Sequence, residues 1–350
     1  MRKLSVALCL LTLFSVQAVA LELTEGRIRL VLHETSGRFS IDYRPDLDSS
    51  RYVPLLDSTD PRTSGLWIRD GNDVYRLGST SRFELNVERR AGAARFVWTS
   101  SILRITQDFS FVTSENARLV NGILTTLTIE NVSETSREVG VRYLLDTHLA
   151  ESQQTHFLTD AGDRIRAESE MSPSRRNTWW TSPHPDRESV GFQQLVSGEG
   201  VTKADRVVFA NWKRLSETTY DYTVNTRRTF SLLPYSIDDS AAAVYYEGEE
   251  LLPGQTRSIK TVLGNFDPDG YADFSPGRTE AAELLDRASD DTPPELNRET
   301  VRRELVAVND LLDEINTILE ESEEFDSEDI EVIEEILRQL KNRKEAYDTR

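Results

Sequence analysis

The sequence predicts a mainly β protein, an antiparallel β-sandwich followed by a C-terminal αα-hairpin with coiled-coil spacing. Three observations predict it. Apolar residues alternate with polar ones between Gly-, Asn- and Asp-containing turns from residue 21 to about 266, the pattern of half-buried antiparallel strands. After residue 297 aliphatic residues recur at spacings of four and three, a heptad seam. Neither a βαβ alternation nor a Gly-rich phosphate loop is present, which argues against a parallel nucleotide-binding sheet.

The strands follow in order. RIRLVLH (27–33) sets Ile28, Leu30 and Leu32 against Arg27, Arg29 and Val31, and RFSIDYR (38–44) puts Phe39, Ile41 and Tyr43 on one face after the turn ETSG. LWIRDGNDVYRLG (66–78) reads as a second hairpin around Asp70-Gly71-Asn72-Asp73. FELNVERR (83–90), ARFVWTS (94–100), ILRITQDFSFV (102–112), ARLVNGILTTLTIENVS (117–133) and REVGVRYLLDTHLA (137–150) continue the series. RVVFANW (206–212), YDYTV (220–224), AAAVYYEG (241–248) and RSIKTVLG (257–264) complete it. Residues 161–200, with three prolines, a Trp pair and few periodic apolar positions, read as a long loop or insertion.

Four segments result. Residues 1–20 read as a secretory signal: Arg2 and Lys3, an apolar run from Leu4 to Val16, and Ala18-Val19-Ala20 as the cleavage site. That run is shorter than the ~20 residues a membrane span needs. Residues 21–266 form the β domain, and 267–296 a linker with a short helix over TEAAELLDRA. Residues 297–350 form the hairpin. Its first helix carries Val301, Leu305, Val308, Leu312, Ile315 and Leu319 on one seam. Its second carries Ile330, Ile333, Leu337, Leu340 and Tyr347. Ten acids and no base lie in residues 319–335, and Arg302, Arg303, Arg338, Lys341, Arg343 and Lys344 gather at the other end.

The net charge is −19, and loss of Arg2 and Lys3 takes it to −21. So acidic a chain is a poor partner for nucleic acid, which requires a basic surface, and for anionic lipid. The single cysteine, Cys9, lies in the leader-like run. A processed chain would hold no disulfide, no Cys-ligated zinc and no Cys nucleophile. The expected setting is periplasmic or secreted, with no stable membrane span after cleavage.

Five passages carry a family resemblance: SGRFSIDY (36–43), TSGLWIRDGNDVYRLG (63–78), LTIENVSETSREVGVRYLLDT (127–147), VVFANW (207–212) and LLPGQTRSIKTVLG (251–264). Over residues 23–266 the chain resembles the galactose-mutarotase-like β-supersandwich of some exported bacterial proteins. The resemblance implies a sandwich of supersandwich type, and in sugar-modifying members His and carboxylate residues at a concave face. None of the histidines here aligns onto those motifs.

The stretch YLLDTHLAESQQTH (143–156) concentrates candidate ligands: Asp146, His148 and His156. A strand continuing through 146–148 puts Asp146 and His148 on one face. The opposing reading is that Asp146 and Thr147 end the strand by bonding backbone amides, with both histidines exposed. Trp179 and Trp180 are candidates for a sugar-stacking platform, although neighbours on a strand face opposite ways. In DPDGYAD, Asp267, Asp269 and Asp273 alternate around a Gly, but Arg278 stands where a calcium loop would carry its bidentate Glu, so a solvated turn is expected. Asn131-Val132-Ser133 matches a glycosylation acceptor.

No spaced nucleophile set such as Gly-x-Ser-x-Gly or His-Glu-x-x-His occurs. No catalytic residue, metal site or cofactor is assigned. The expected function is non-catalytic binding or assembly in the envelope, with the hairpin seam contacting another envelope protein or a second copy. The alternative is carbohydrate binding or processing by the sandwich, with a glycan as partner. A metal-dependent hydrolase comes third.

Overall fold

The computed structural model describes residues 20–47, 49–57, 62–90, 93–115, 117–147 and 149–271. The expected hairpin and most of the signal and linker segments, together with His148, lie outside the described residues.

The strands are β1 (Ala20–Glu25), β2 (Ile28–His33), β3 (Arg38–Tyr43), β4 (Val53–Pro54), β5 (Gly65–Asp70), β6 (Asp73–Arg76), β7 (Glu84–Arg90), β8 (Ala93–Thr99), β9 (Leu103–Val112), β10 (Gly122–Asn131) and β11 (Arg137–Leu145). They continue with β12 (Phe157–Thr159), β13 (Arg164–Ile165), β14 (Ser169–Met171), β15 (Trp179–Pro183), β16 (Gly191–Leu195), β17 (Arg206–Asn211), β18 (Ser240–Leu251) and β19 (Thr256–Asn265). Among the described residues one helix, α1 (Trp212–Glu217), interrupts them.

These strands form three antiparallel sheets. One has the order β1-β2-β3-β4, one β13-β12-β15-β16-β19-β10-β9-β8-β7, and one β14-β17-β18-β11-β5-β6. The mainly β, antiparallel, sandwich-like expectation therefore holds for the described residues. Both hairpins read from the alternation are present, β2–β3 with Ile28 opposite Tyr43 and β5–β6 with Asp70 opposite Asp73.

The core lies between the sheets. Inward positions of β8 and β9 (Phe96, Trp98, Ile105, Phe109) meet those of β11 and β18 (Val141, Tyr143, Val244, Tyr246). Burial of apolar area at roughly 25 cal/mol per Å² drives this closure. A second cluster covers the outer face of the six-stranded sheet. There α1 and the segment after it lay Leu215, Tyr220 and Tyr222 over Trp67, Leu144 and Tyr245. Arg142 runs through this cluster, fully buried, donating to the carbonyls of Leu215, Thr218 and Tyr220 at 3.1, 3.3 and 2.6 Å. Its guanidinium lies 4.4 Å from the Trp67 ring centroid, which supplies the aromatic face that partly replaces water. Tyr271 latches the far end against Asn121 and Asn265, its ring so close that a Cβ on Gly122 would fall 2.5 Å from Cε1.

Three expectations are corrected. Residues 161–200 are not one loop, because β13, β14, β15 and β16 lie within them. The two-residue period is missing there because β16 is buried at every position. Its polar Gln193 and Gln194 are satisfied by the backbone of Asp267 and by Thr261. Residues 220–224 are not a strand; their tyrosines pack on the sheet as a cover. The DPDG turn is not solvated at Asp267, which is buried and accepts from Ser114 Oγ at 2.5 Å and from the Asp269 amide at 2.9 Å.

Candidate functional site

The candidate site occupies one end of the sandwich, where β11 stops and the chain turns through 146–156 into β12. Asp146 follows the last residue of β11 and is buried. Its amide donates to Ser64 Oγ at 3.0 Å, and its carbonyl accepts from the Asp57 amide at 2.8 Å. Burial raises its carboxyl well above the usual range against a hydrogen bond from Thr63, with Glu151, Asp57 and Asp239 adding like charge. Glu151 Oε1 accepts from the Ser240 amide at 3.1 Å. Burial is the main reason its carboxyl is pushed up to about 7, helped by Asp239, Asp57 and Asp238 and opposed by that amide. Asp239 is raised by burial as well.

His156 completes this group. It is buried, contrary to its expected exposure, with Nδ1 hydrogen-bonded to Ser240 Oγ at 2.8 Å and its ring 4.5 Å from Phe230. Desolvation lowers its pKa and keeps the imidazole neutral. Ser240, the first residue of β18, thus holds Glu151 through its amide and His156 through its hydroxyl. Among the described residues no group of three or more His, Cys, Asp or Glu could hold a metal ion. What the cluster can do is hold and release protons near neutral pH.

The strand pair β12–β13 carries the second half of the site. The His156 amide donates to the Ile165 carbonyl at 3.0 Å, so the segment that fixes the imidazole also fixes Arg164 to Arg166. Beyond it lies an open cleft of about 550 Å³. It forms where β13, the edge of the nine-stranded sheet, passes by way of residues 166–168 to β14, the edge of the six-stranded one. Ile165 and Met171 are its buried apolar lining. Arg164, Arg166, Asp163 and Glu170 line it as exposed charges. Glu168, beneath them, is fully engaged by Arg214 Nη1 (2.7 Å), Tyr222 Oη (2.9 Å) and the Asn225 amide (3.2 Å). Two lining residues keep a buried polar atom without a partner among the described residues, Ser169 Oγ and Asn177 Oδ1.

The other candidates are placed apart from the cleft. Trp180 is not a stacking platform: it is fully buried, donates from Nε1 to Gln194 Oε1 at 3.1 Å, and packs edge-on against Phe157 and Phe209. Trp179 faces the other way and packs on Phe266 at 5.6 Å. The Asn131 side chain donates to the Thr135 and Leu251 carbonyls, both at 2.8 Å, and is buried, so it is no glycan acceptor. The association residues Val301, Leu305, Val308, Leu312, Ile315, Leu319, Ile330, Ile333, Leu337 and Leu340 lie outside the described residues. Sequence reasoning missed Glu151, Asp239 and the cleft. Their one visible signal was the concentration of polar residues after the long strand β11.

No protein-family model matches the chain, and a search of curated proteins finds no match. Among solved structures the chain is similar to a putative aldose 1-epimerase from Escherichia coli K12, at 11% identity over 71% of this chain and 99% of that one, with a TM-score of 0.46. It is similar also to a galactose mutarotase related enzyme from Lactobacillus acidophilus, at 7% identity over 73% and 100%, TM-score 0.45. A third is a galactose mutarotase-like protein from Lactobacillus casei, at 8% identity over 71% and 100%, TM-score 0.45.

Proposed function

We propose that the chain binds a carbohydrate in the cleft between β13 and β14. One observation carries this reading: a 550 Å³ cleft whose wall sets the exposed charges of Arg164, Arg166 and Glu170 beside Ser169 and Asn177. The volume falls within the roughly 300–1,000 Å³ of small-molecule sites. Sugar hydroxyls both donate and accept, so they suit a wall on which guanidinium donors stand beside carboxylate and amide acceptors. A neutral polyol also leaves the balance of charges in the wall undisturbed. The export expectation from residues 1–20 sets this ligand outside the cytoplasm.

A glycan array probed with the full chain, followed by calorimetry on the best binder, tests the reading. Arg164→Ala and Glu170→Ala alter exposed side chains and should leave the fold intact while weakening binding about tenfold or more. An array with no binder, or variants that bind as tightly as the parent, overturns it.

Association through residues 297–350 stands as an expectation of the heptad seam. Comparing the partners captured by the full chain and by a version truncated at residue 290 would test it.

A further inference from the structure

On the reading that the cleft between β13 and β14 takes a carbohydrate, we infer that this ligand is acidic, a short sugar chain whose carboxylate or sulfate groups meet arginines gathered around the cleft. Arg164 and Arg166 line it. Arg175 and Arg176 lie in the turn closed by the bridge between Ser174 and Asn177, and Asn177 is a lining residue. Arg227 and Arg228 follow Thr226, another lining residue, and the Arg228 carbonyl accepts from the amide of Glu168 in the cleft wall at 3.0 Å. All six arginines are exposed, and none forms an ion pair among the described residues.

The lining acids do not offset them. Glu168 is held by Arg214 at 2.7 Å, and Glu170 faces Arg206 at 3.5 Å. Asp163 is left as the one lining acid without an ion-pair partner among the described residues. This part of the surface therefore reverses the sign of a chain whose net charge is −19. Exposed charges more than about 8 Å apart are largely screened at physiological ionic strength. A ligand in the cleft thus feels the local excess of arginine and not the acidic remainder of the chain. Like charges gathered on one face repel each other, and an anion among them turns that repulsion into attraction.

The chemistry of the side chains narrows the ligand. A guanidinium presents paired N–H donors in a fixed plane that match two oxygens of a carboxylate or sulfate. The wall mixes both signs in Arg164, Arg166, Asp163 and Glu170, as recognition of ring hydroxyls requires. Arg175, Arg176, Arg227 and Arg228 beside it are of one sign, as recognition of charged substituents requires. Nucleic acid fits less well. A strand extends past so small a patch and would lay its further phosphates over an acidic surface.

Calorimetry on the full chain with three tetrasaccharides tests this: tetragalacturonate, its methyl ester and a sulfated galactan fragment. At least one acid should bind about tenfold or more tighter than the ester. That preference should shrink as sodium chloride rises from about 50 to about 500 mM. Which acid binds identifies carboxylate or sulfate as the group recognised. The double variant Arg175→Gln/Arg227→Gln changes two exposed side chains outside the wall. It should lose about tenfold in affinity for the acid and keep its affinity for the ester. An ester bound as tightly as both acids overturns the inference and leaves the carbohydrate reading standing. Binding of none of the three also overturns it, and the glycan array then decides the carbohydrate reading by itself. Tetraglutamate bound as tightly as the better acid shows anion capture without regard to the sugar, and overturns it as well.

Discussion

Glu151 Oε1 accepts the backbone amide of Ser240 at 3.1 Å, and this bond joins the loop after β11 to the first residue of β18. The same carboxyl is pushed up to about 7, chiefly by burial. The folded chain therefore keeps a proton on Glu151 that the unfolded chain releases near 4.5.

That difference sets a pH dependence. Between about 4.5 and 7 the folded state binds more protons than the unfolded one, so this contribution to stability falls as pH rises. It is fully present below 4.5 and lost as pH passes 7. At about 1.4 kcal/mol per unit the shift would be worth about 3 kcal/mol. Solvent screening of this half-buried group reduces that to roughly 1–2 kcal/mol. Glu151→Gln carries a neutral amide in place of the protonated acid. Denaturant midpoints should match the parent at pH 4.5, and at pH 8 the variant should be more stable by roughly 1–2 kcal/mol. A variant less stable than the parent at pH 8 would refute this account.

His156 acts in the opposite sense. Desolvation lowers its pKa below 6.5, so the unfolded chain takes up a proton first. The stability due to neutral His156 is present above pH 6.5 and lost as pH falls through its folded pKa. An NMR titration should find the His156 ring still neutral at pH 6.5; a midpoint above 6.5 would remove the argument.

The two tryptophans should separate cleanly. Trp180→Ala opens a cavity in the core beside Phe157, Phe192 and Phe209 and should cost about 3–5 kcal/mol. Trp179 is only partly buried, against Phe266, so Trp179→Ala should cost less than half as much. Chemical denaturation of both variants checks the order, and equal losses would contradict the placement of Trp180.

Arg142 offers a third contrast. Arg142→Met keeps an unbranched side chain under Trp67 but strips donors from the carbonyls of Leu215, Thr218 and Tyr220. Buried acceptors left unmade cost ~1–3 kcal/mol each, and part of that returns because a buried charge is also removed. A net loss of about 3 kcal/mol is expected. Hydrogen exchange should rise first in residues 212–222, the cover that Arg142 holds down. Uniform acceleration over the whole chain would show that the cover is held by something else.

The strands were legible because a two-residue period is a local property. Ile28, Leu30 and Leu32 can be read as one face without knowing what lies opposite, and β2 buries that face. The same reasoning misjudged residues 161–200. A strand such as β16, buried on both faces, has no polar side to alternate with. The site was half legible. Asp146 and His156 stood out as an acid and a histidine after a long strand. Glu151 and Asp239 were indistinguishable from dozens of other acids, because what marks them is burial beside each other, 88 positions apart in the chain.

Local alternation and turn chemistry, then, were enough to specify a mainly β, antiparallel chain with its hairpins at residues 27–44 and 66–78. Tertiary structure decided which polar residues went inside. Arg38, Gln107, Arg142, Gln193 and Gln194 all sit in strands, where a polar residue would ordinarily be assigned to the solvent face. A polar side chain is buried at tolerable cost only where distant segments bring it partners. For Gln193 that partner is the Asp267 backbone and for Arg142 the carbonyls after α1. Such partners are supplied by the pairing of strands and the covers laid over them, and no window of sequence contains that information.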